Sequence, residues 1–568
     1  MKKCKGLLLL LCALLLTSCG WGGSKKVVEE SDDRRAADSG GTLTVPLTNF
    51  DTLNPLLTQN RSYFQLSHLL FDRLFEYEGS GRLVPSIAEH VETSDEGRRV
   101  SVTLRKGIFW QDGTPVTTKD VAATFNAVKH APSESPYQQI FRHTPGIGAG
   151  TNLDTVAKAV IFDDRNIDFE FNRAYGNYLE LLSFPILPAH IYSEEAMLDG
   201  ENFEVAGSGP FLLKKWEKNK KIYLEKNPNY YGNLPYVDGI VGLIFPDQNA
   251  IQQAYDAGQI DLFVVDDYTW DRYKSDEKST VEPYETQRVE VVSMNTQDPY
   301  LSDVNLRRAL DLAINKERMI DSLYLSQGTM ANFFINPKLS AGTFTKEESY
   351  MSVDGAMNVL DKAGYRDVDG DGFREGKNGE ALNLAILTNG ENHRMKTEAQ
   401  LVSEDLKKIG IRSHLVTAGD GAEGQKGGGD ETKQKQSADN FARALQGGAY
   451  QMAVVGMDFS AVVNLSSVLS SDGIGGMNIS RYSNPEMDEC LKQLARAQGE
   501  KDRKAYIDKA YKLFRDDVPY IPMVFKQNVL VTGPRVAGRM RPDAFFVYKG
   551  IDDVSIKENR QEKTIQKK

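Results

Sequence analysis

Cysteine is scarce in this chain of 568 residues, and it is concentrated at one end. Of the four cysteines, Cys4, Cys12 and Cys19 lie in the first 19 residues, which leaves Cys490 alone in the remainder. The remainder therefore cannot form an intrachain disulfide, and a chain of this length can rely on an apolar core instead. Apart from one apolar run near the N terminus, the chain also has no long apolar run. With 40% apolar and 26% charged residues, the composition is that of a soluble globular protein.

Sequence signatures of catalysis and of metal binding are missing as well. The seven histidines, at positions 68, 90, 130, 143, 190, 393 and 414, show no metal-ligand spacing, and neither G-x-S-x-G nor G-x-x-x-x-G-K occurs. Cys490 lies among apolar residues in a predicted helix, which favours packing over nucleophilic chemistry. A formal charge of −11 disfavours nucleic acid as a partner. We therefore expect neither an enzyme nor a bound cofactor.

The N terminus carries the pattern of an export signal. Three lysines within the first five residues precede an apolar run over 6–16, and small and polar residues follow. The run has about ten residues, whereas a membrane-spanning helix needs roughly 20, so we predict a signal peptide over 1–18. Leu16-Thr17-Ser18-Cys19 resembles the lipobox of bacterial lipoproteins. That resemblance implies removal of the signal and lipidation of Cys19; the alternative is an ordinary signal peptide with a chance cysteine.

Strand and helix patterns alternate through the rest of the chain. Residues 19–41 are polar and without periodicity, which predicts a flexible tether of roughly 25 Å. Thr42–Leu47 has the alternation of a strand, and an apolar stripe predicts one long helix that begins near Asp303. The glycine-rich, charged stretch 419–437 predicts a mobile surface insert. The alternation favours an α/β fold with mixed sheets.

Several sequence blocks, taken in order, resemble one family of binding proteins. They are FWQDGTPVTTKDV, GSGPFLLKKW with LEKNPNYYG, DVNLRRALDLAINKERMI, AGYRDVDGDGFRE and DVPYIPMVF. Behind a lipobox-like signal, these blocks resemble the large oligopeptide- and dipeptide-binding proteins (family 5) of ABC importers, from about Thr42 to the C terminus. The resemblance implies an α/β, two-lobed, periplasmic-binding-protein-like fold of the class II (cluster C) type, which closes around its ligand.

The same resemblance implies how the chain divides. Lobe 1 would combine 42–60, 186–290 and 526–568, with an extra subdomain over 61–185, and lobe 2 would cover 291–525. The chain would cross between the lobes near Glu290 and Phe525, and these crossings would form the hinge.

Five positions are implied to contact a ligand. In this family an aspartate after a lobe 2 strand holds the α-amino group of an extended peptide, and the matching position is Asp458, followed by Phe459. Gln59 and Arg61 fall in the segment that resembles the peptide-pairing edge, and Tyr137 falls where an aromatic residue reaches the cleft. The alternatives are ordinary roles: a turn-capping aspartate, and surface or packing residues.

The surroundings of Asp458 depart from the family pattern. Members of the family often have an aromatic residue shortly before this aspartate, whereas this chain has Val454-Val455-Gly456 there. After the aspartate, the family's acidic or proline-containing continuation is replaced by Ser460-Ala461-Val462. No basic residue stands just upstream, over 450–452, to take a peptide carboxylate. Both departures leave the amino-terminal pocket open to a different ligand.

An acidic run is the one metal candidate. Asp367, Asp369 and Asp371 are spaced like the opening of an EF-hand calcium loop. The twelfth position is Asn378, so the bidentate glutamate is missing, and Glu375 or Glu380 would substitute only along a different loop path. The alternative is a solvated acidic turn.

We predict a lipid-anchored, extracytoplasmic, monomeric protein that captures short peptides and delivers them to an ABC permease. It would lie on the outer surface of a Gram-positive cell or on the periplasmic side of the membrane. Two alternatives remain: the same fold with a non-peptide solute such as a metal chelate, a sugar or haem, and an exported hydrolase or signalling module.

Overall fold

The structure is a computed structural model that describes residues 40–557 apart from short segments. Those segments are 80, 143, 145–146, 148–150, 266–267, 341–343, 345–350, 419–429, 460–463 and 498–499. The predicted signal peptide, Cys19, nearly all of the predicted tether and the first part of the predicted insert lie outside the described residues.

Strands occur along the whole described chain. They are β1 (Thr42–Leu47), β2 (Phe75–Tyr77), β3 (Leu83–Pro85), β4 (Ala88–Ser94), β5 (Arg99–Leu104), β6 (Ala157–Ile161), β7 (Asn166–Phe171), β8 (Phe211–Glu217), β9 (Lys221–Lys226), β10 (Gly239–Ile244), β11 (Leu262–Val265), β12 (Thr280–Met294), β13 (Gly328–Met330), β14 (Asn383–Thr388), β15 (Arg412–Thr417), β16 (Met452–Asp458), β17 (Tyr520–Thr532), β18 (Val536–Ala537) and β19 (Ser555–Ile556).

Helices alternate with these strands. They are α1 (Arg61–Leu70), α2 (Thr118–His130), α3 (Pro136–Arg142), α4 (Tyr178–Leu181), α5 (Gln248–Asp256), α6 (Asp271–Lys274), α7 (Val304–Ala313), α8 (Lys316–Tyr324), α9 (Val353–Ala363), α10 (His393–Lys408), α11 (Asp430–Gly447), α12 (Leu465–Leu469), α13 (Pro485–Arg496) and α14 (Glu500–Asp517).

Three larger sheets organise the fold. A four-stranded sheet has the order β1-β10-β9-β8, and a second four-stranded sheet has the order β4-β5-β7-β6. The seven-stranded sheet has the order β11-β17-β12-β16-β14-β15, with β13 paired to β17. Parallel and antiparallel pairs both occur in it, since β14 is parallel to β15 and β16, whereas β12 is antiparallel to β16 and β17. The α/β class with mixed sheets is therefore confirmed.

Buried apolar side chains form two large cores and a small one. The first core draws on residues from Leu43 to Tyr284 and on the C-terminal stretch from Leu530 to Ile556. The second core draws only on residues between Val289 and Phe525. The small core packs α5 and α6 against the outer end of β17. The chain thus changes core close to the predicted crossings.

The two longest strands connect these cores. β12 and β17 pair with each other over most of their length, and the register of the pair is interrupted between Glu285 and Val289 and between Glu290 and Val291. Such interruptions bend and twist a β-ribbon locally. The bends lie beside Glu290, which is one of the two predicted crossings.

Local signals explain the helix boundaries. Thr117 caps α2 in a capping box, in which Asp120 accepts a hydrogen bond from the backbone N–H of Thr117 at 2.7 Å. α7 begins directly after Asp303, as the sequence predicts, and the Asp303 side chain caps it by accepting the backbone N–H of Asn305. The prediction of one long helix is wrong, however. α7 ends at Ala313, and a second helix, α8, begins after Asn315, whose side chain caps it.

The predicted mobile insert over 419–437 also ends earlier than expected. α11 begins at Asp430, so its first residues, including Ser437, belong to a helix. The composition of 430–437 is polar, but it contains no proline and only helix-tolerant residues after Asp430. The remaining part of the insert, 419–429, lies outside the described residues.

Candidate functional site

A cavity of about 850 Å³ lies between the first and the second core. Its wall combines α1, α3 and the loop before α4 with the bends of β12 and β17, the end of β16 and the segment after β18. All five predicted ligand-contacting residues, Gln59, Arg61, Tyr137, Asp458 and Phe459, line this one cavity. The fold therefore brings together positions that are up to 400 residues apart in sequence.

Gln59 and Arg61 are held at the start of α1 by a turn. The Asp51 carboxylate accepts backbone N–H groups of Gln59 at 2.8 Å and of Asn60 at 3.0 Å. Asn60 in turn caps α1, because its side chain accepts the N–H of Ser62. Gln59 and Arg61 are exposed and line the cavity, so this turn presents an amide and a guanidinium.

Tyr137 lies in an aromatic part of the wall. Its ring stacks against Phe64 at 6.2 Å, and Phe64 in turn meets His68, which stacks on Phe546 at 5.2 Å. The hydroxyl of Tyr137 accepts a hydrogen bond from Arg73 Nη2 at 3.1 Å. Burial and the nearby Arg73 charge lower the pKa of His68 well below its usual value, so this wall carries a neutral imidazole.

Asp458 is the last residue of β16 and Phe459 comes directly after it, but their side chains face different surroundings. Phe459 is buried and meets the ring of Phe334 edge-on at 5.8 Å, so much of this side chain belongs to the second core. Asp458 is exposed, and within the described residues its carboxylate has neither a hydrogen bond nor an ion pair. A carboxylate without a partner is available to a ligand.

Sequence reasoning missed the charged residues on β12, β17 and α10. Arg288 and Lys526 line the cavity, and Arg288 Nε donates to Glu290 Oε1 at 3.2 Å. Glu290 Oε1 also accepts from Arg394 Nη2 at 3.4 Å. Only the unusual charge pattern Arg-Val-Glu within an apolar strand signals these residues, and it does not show that they meet Arg394, about a hundred residues away.

A buried carboxylate stands behind these charges. Glu398 is fully buried, accepts a hydrogen bond from the Tyr324 hydroxyl, and lies 3.6 Å from Arg394 Nε. Burial, reinforced by the Glu290 charge, raises the pKa of Glu398 to about 8. Glu398 is therefore largely protonated at neutral pH.

The two cores touch at the rim of the cavity. The backbone N–H of Gly176 donates to the carbonyl of Ala495 at 2.9 Å, and Arg503 Nη1 donates to the carbonyl of Gly176 at 3.1 Å. Gly176 follows Tyr175 of the first core, whereas Ala495 follows Leu494, which packs on the second. These bonds close one side of the cavity.

Comparison with known proteins identifies the family. The family model "Bacterial extracellular solute-binding proteins, family 5 Middle" matches residues 82–472, more than half of the chain. The chain belongs to this family. Its members are extracytoplasmic solute-binding proteins, which agrees with the prediction that the chain is not an enzyme.

Individual relatives cover nearly the whole length of this family 5 protein. The oligopeptide-binding protein AppA of Bacillus subtilis is 25% identical over 525 residues, covering 88% of this chain and 89% of the relative. Heme-binding protein A of Haemophilus influenzae is 25% identical over 515 residues, covering 86% of this chain and 88% of the relative. The solved structure of B. subtilis AppA with a nonapeptide aligns with a TM-score of 0.64 at 21% identity, covering 92% of this chain and 99% of the AppA chain. The predicted two-lobed fold is confirmed.

Two further features of this family 5 protein concern membranes and metals. Among the described residues, none of the helices has the length and apolar character needed to cross a bilayer. In the acidic loop, carboxylate oxygens of Asp367, Asp369 and Glu375 lie within 4.8 Å of one another. Asp371 is not part of that group, since its carboxylate pairs with Arg412 at 2.5 Å.

Proposed function

We propose that this family 5 protein captures short peptides in the cavity and holds their α-ammonium group on Asp458. The observation that carries the proposal is the Asp458 carboxylate, which lines the cavity without a partner among the described residues. An ammonium group would form charge-assisted hydrogen bonds with it. Closure of the cavity would exclude water and strengthen the attraction.

The size and the wall of the cavity support a peptide ligand. A volume of about 850 Å³ is within the usual range of ligand pockets. Gln59 and the exposed turn before α1 offer polar groups to a peptide backbone, and such bonds are the same for every peptide sequence. A relative of similar length is named an oligopeptide-binding protein and has been solved with a nonapeptide.

The lobes, the anchor and the partner belong to the same proposal. The confinement of the second core to 289–525 supports lobe 2 as 291–525, and the remaining described residues then form lobe 1 with its extra subdomain. Lipidation of Cys19 and a tether over 19–41 would keep a monomeric binding protein near an ABC permease. Short peptides released there would be imported.

A second candidate ligand is a haem-like or other aromatic solute. The observation that favours it is the aromatic wall formed by Phe64, Tyr137 and Phe546 around His68. A relative that covers most of this chain is named a heme-binding protein. Aromatic faces bind flat apolar ligands by stacking, without any ammonium group.

The test is native mass spectrometry of protein purified without refolding, followed by calorimetry. We expect co-purified peptides, and binding of tri-, tetra- or pentaalanine with a Kd of about 1 μM or below. Asp458→Asn should weaken that binding about tenfold or more, whereas Asp354→Asn, an exposed carboxylate on α9, should not change it.

Blocking the amino group provides the opposing test. Acetylated alanine peptides should bind the wild-type protein as weakly as free peptides bind Asp458→Asn. Equal affinity for free and acetylated peptides would refute the role of Asp458. A co-purified tetrapyrrole or other non-peptide solute would replace the peptide proposal by the second candidate.

A further inference from the structure

Two opposite charges stand side by side in the cavity without pairing. Arg288 on β12 and Asp458 on β16 are direct partners in the antiparallel ladder. Residues opposite each other in such a ladder have Cβ atoms about 5 Å apart, so their side chains share one face of the sheet. Both line the cavity, yet Arg288 pairs with Glu290 at 3.2 Å and Asp458 has no partner among the described residues.

Gly456 explains why Arg288 turns toward Glu290. Gly456 is the ladder partner of Glu290, two residues before Asp458. A Cβ at this position would lie 2.7 Å from Arg288 Nη2 and 2.7 Å from Glu290 Oε2. The missing side chain therefore makes the space that the Arg288–Glu290 pair fills. A larger residue here would displace the guanidinium.

The positive charge of Arg288 is only partly compensated. Glu290 is 1% exposed and accepts hydrogen bonds from both Arg288 and Arg394, so one carboxylate serves two guanidinium groups. The neighbouring Glu398 adds little negative charge at neutral pH, because burial raises its pKa to about 8. About a third of the Arg288 side chain is exposed, on the cavity side. It can therefore still bind an anion from the ligand.

We propose that Arg288 and Asp458 together recognise a ligand end that carries an ammonium and a carboxylate close to each other. The ammonium would bind Asp458, and the carboxylate would bind the guanidinium of Arg288. Two kinds of ligand present this chemistry: a peptide whose first residue is acidic, and a free α-amino acid. The inference rests on the proposed function, since it takes Asp458 as the amino-group anchor.

Calorimetry with matched peptides tests the pair. The probes are Asp-Ala-Ala-Ala, its neutral counterpart Asn-Ala-Ala-Ala, and free aspartate. For the wild-type protein we expect the acidic peptide to bind at least about tenfold more tightly than the neutral one, which is about 1.4 kcal/mol. Arg288→Gln should abolish this preference, because the carboxylate of the acidic peptide then has no guanidinium to bind.

Two further variants keep the test independent of folding. Arg288→Lys retains the charge and should retain part of the preference, whereas Arg412→Gln, which removes a half-exposed cation outside the cavity wall, should retain all of it. Free aspartate that binds the wild-type protein but not Arg288→Gln would assign the pair to free amino acids. Equal affinities for the acidic and the neutral peptide, together with no binding of free aspartate, would overturn the inference.

Failure of the proposed function gives a different result. If Asp458 is not the amino-group anchor, Asp458→Asn leaves the affinity for Asn-Ala-Ala-Ala unchanged. If only the further inference fails, Asp458→Asn weakens both peptides equally and Arg288→Gln shows no selective loss for the acidic one.

Discussion

Gly176→Ala tests whether the contact at the rim holds the cavity closed around a ligand. A Cβ at Gly176 would lie 2.7 Å from the carbonyl oxygen of Ala497, 2.9 Å from Arg503 Nη1 and 3.3 Å from the carbonyl oxygen of Ala495. Gly176 has no positive φ, so alanine fits the local backbone conformation. The substitution should therefore disturb the contact between the cores and leave each core intact.

The expected cost follows from these distances. Inserting a methyl group into a packed contact costs about 1–3 kcal/mol. The two hydrogen bonds that involve Gly176 contribute about 1 kcal/mol each, and they would be lost if the sides moved apart. We expect the cost to fall on the closed, ligand-bound form, because lobes of this kind separate when no ligand is present. An affinity loss of roughly 10- to 100-fold should result, mostly as faster dissociation.

Stopped-flow binding of tetraalanine measures this effect directly. Small-angle scattering should also show that Gly176→Ala remains more extended than the wild-type protein at saturating peptide. The matched control is Gly447→Ala at the end of α11, where an added Cβ has no neighbour within 4 Å and φ is not positive. Wild-type dissociation rates for Gly176→Ala, with an unchanged melting temperature, would refute the reasoning.

Two predictions concern titration and calcium. Burial raises the pKa of Asp72 from 3.8 to about 7, so between these pH values the folded chain keeps a proton that the unfolded chain has released, and stability falls as the pH rises. Asp72→Asn should remove about 4 kcal/mol of this pH dependence in urea titrations, and an unchanged slope would contradict the assignment. In the acidic loop, Asp367 already accepts backbone N–H groups of Gly370 and Gly372 and Asp371 pairs with Arg412. About 1 mM calcium should therefore leave the melting temperature unchanged, and a rise abolished by Asp367→Asn would show a calcium site.

Local signals in the sequence predicted local structure well. β1 has the predicted bounds, Thr42–Leu47, because its apolar residues alternate and one face is buried. The start of α7 near Asp303 was predicted from the apolar stripe, and the structure shows that the Asp303 side chain caps the helix. The break after Ala313 was missed, since the apolar stripe continues and only the Asn315 cap separates α7 from α8.

The candidate site was only partly accessible from the sequence. Gln59, Arg61, Tyr137, Asp458 and Phe459 came from a family resemblance, and the structure places them in one cavity, although their roles stay predictions. The sequence also showed that Gly456 departs from the family pattern, but not what that departure does. Only the strand pairing in the structure places Gly456 opposite Glu290, and it shows that the Arg288–Glu290 ion pair fills the space beside the glycine.

By itself, the sequence determined the α/β alternation, the order of the family blocks and the absence of any internal disulfide outside the N-terminal 19 residues. These are properties of short segments or of counts, which do not depend on where distant segments meet. Tertiary structure alone decided that Arg288, Arg394 and Asp458 share one charged region, and that Gly176 touches Ala495. The reason is physical: hydrogen bonds and charges act over a few ångströms, and only folding brings residues so far apart in the chain within that range.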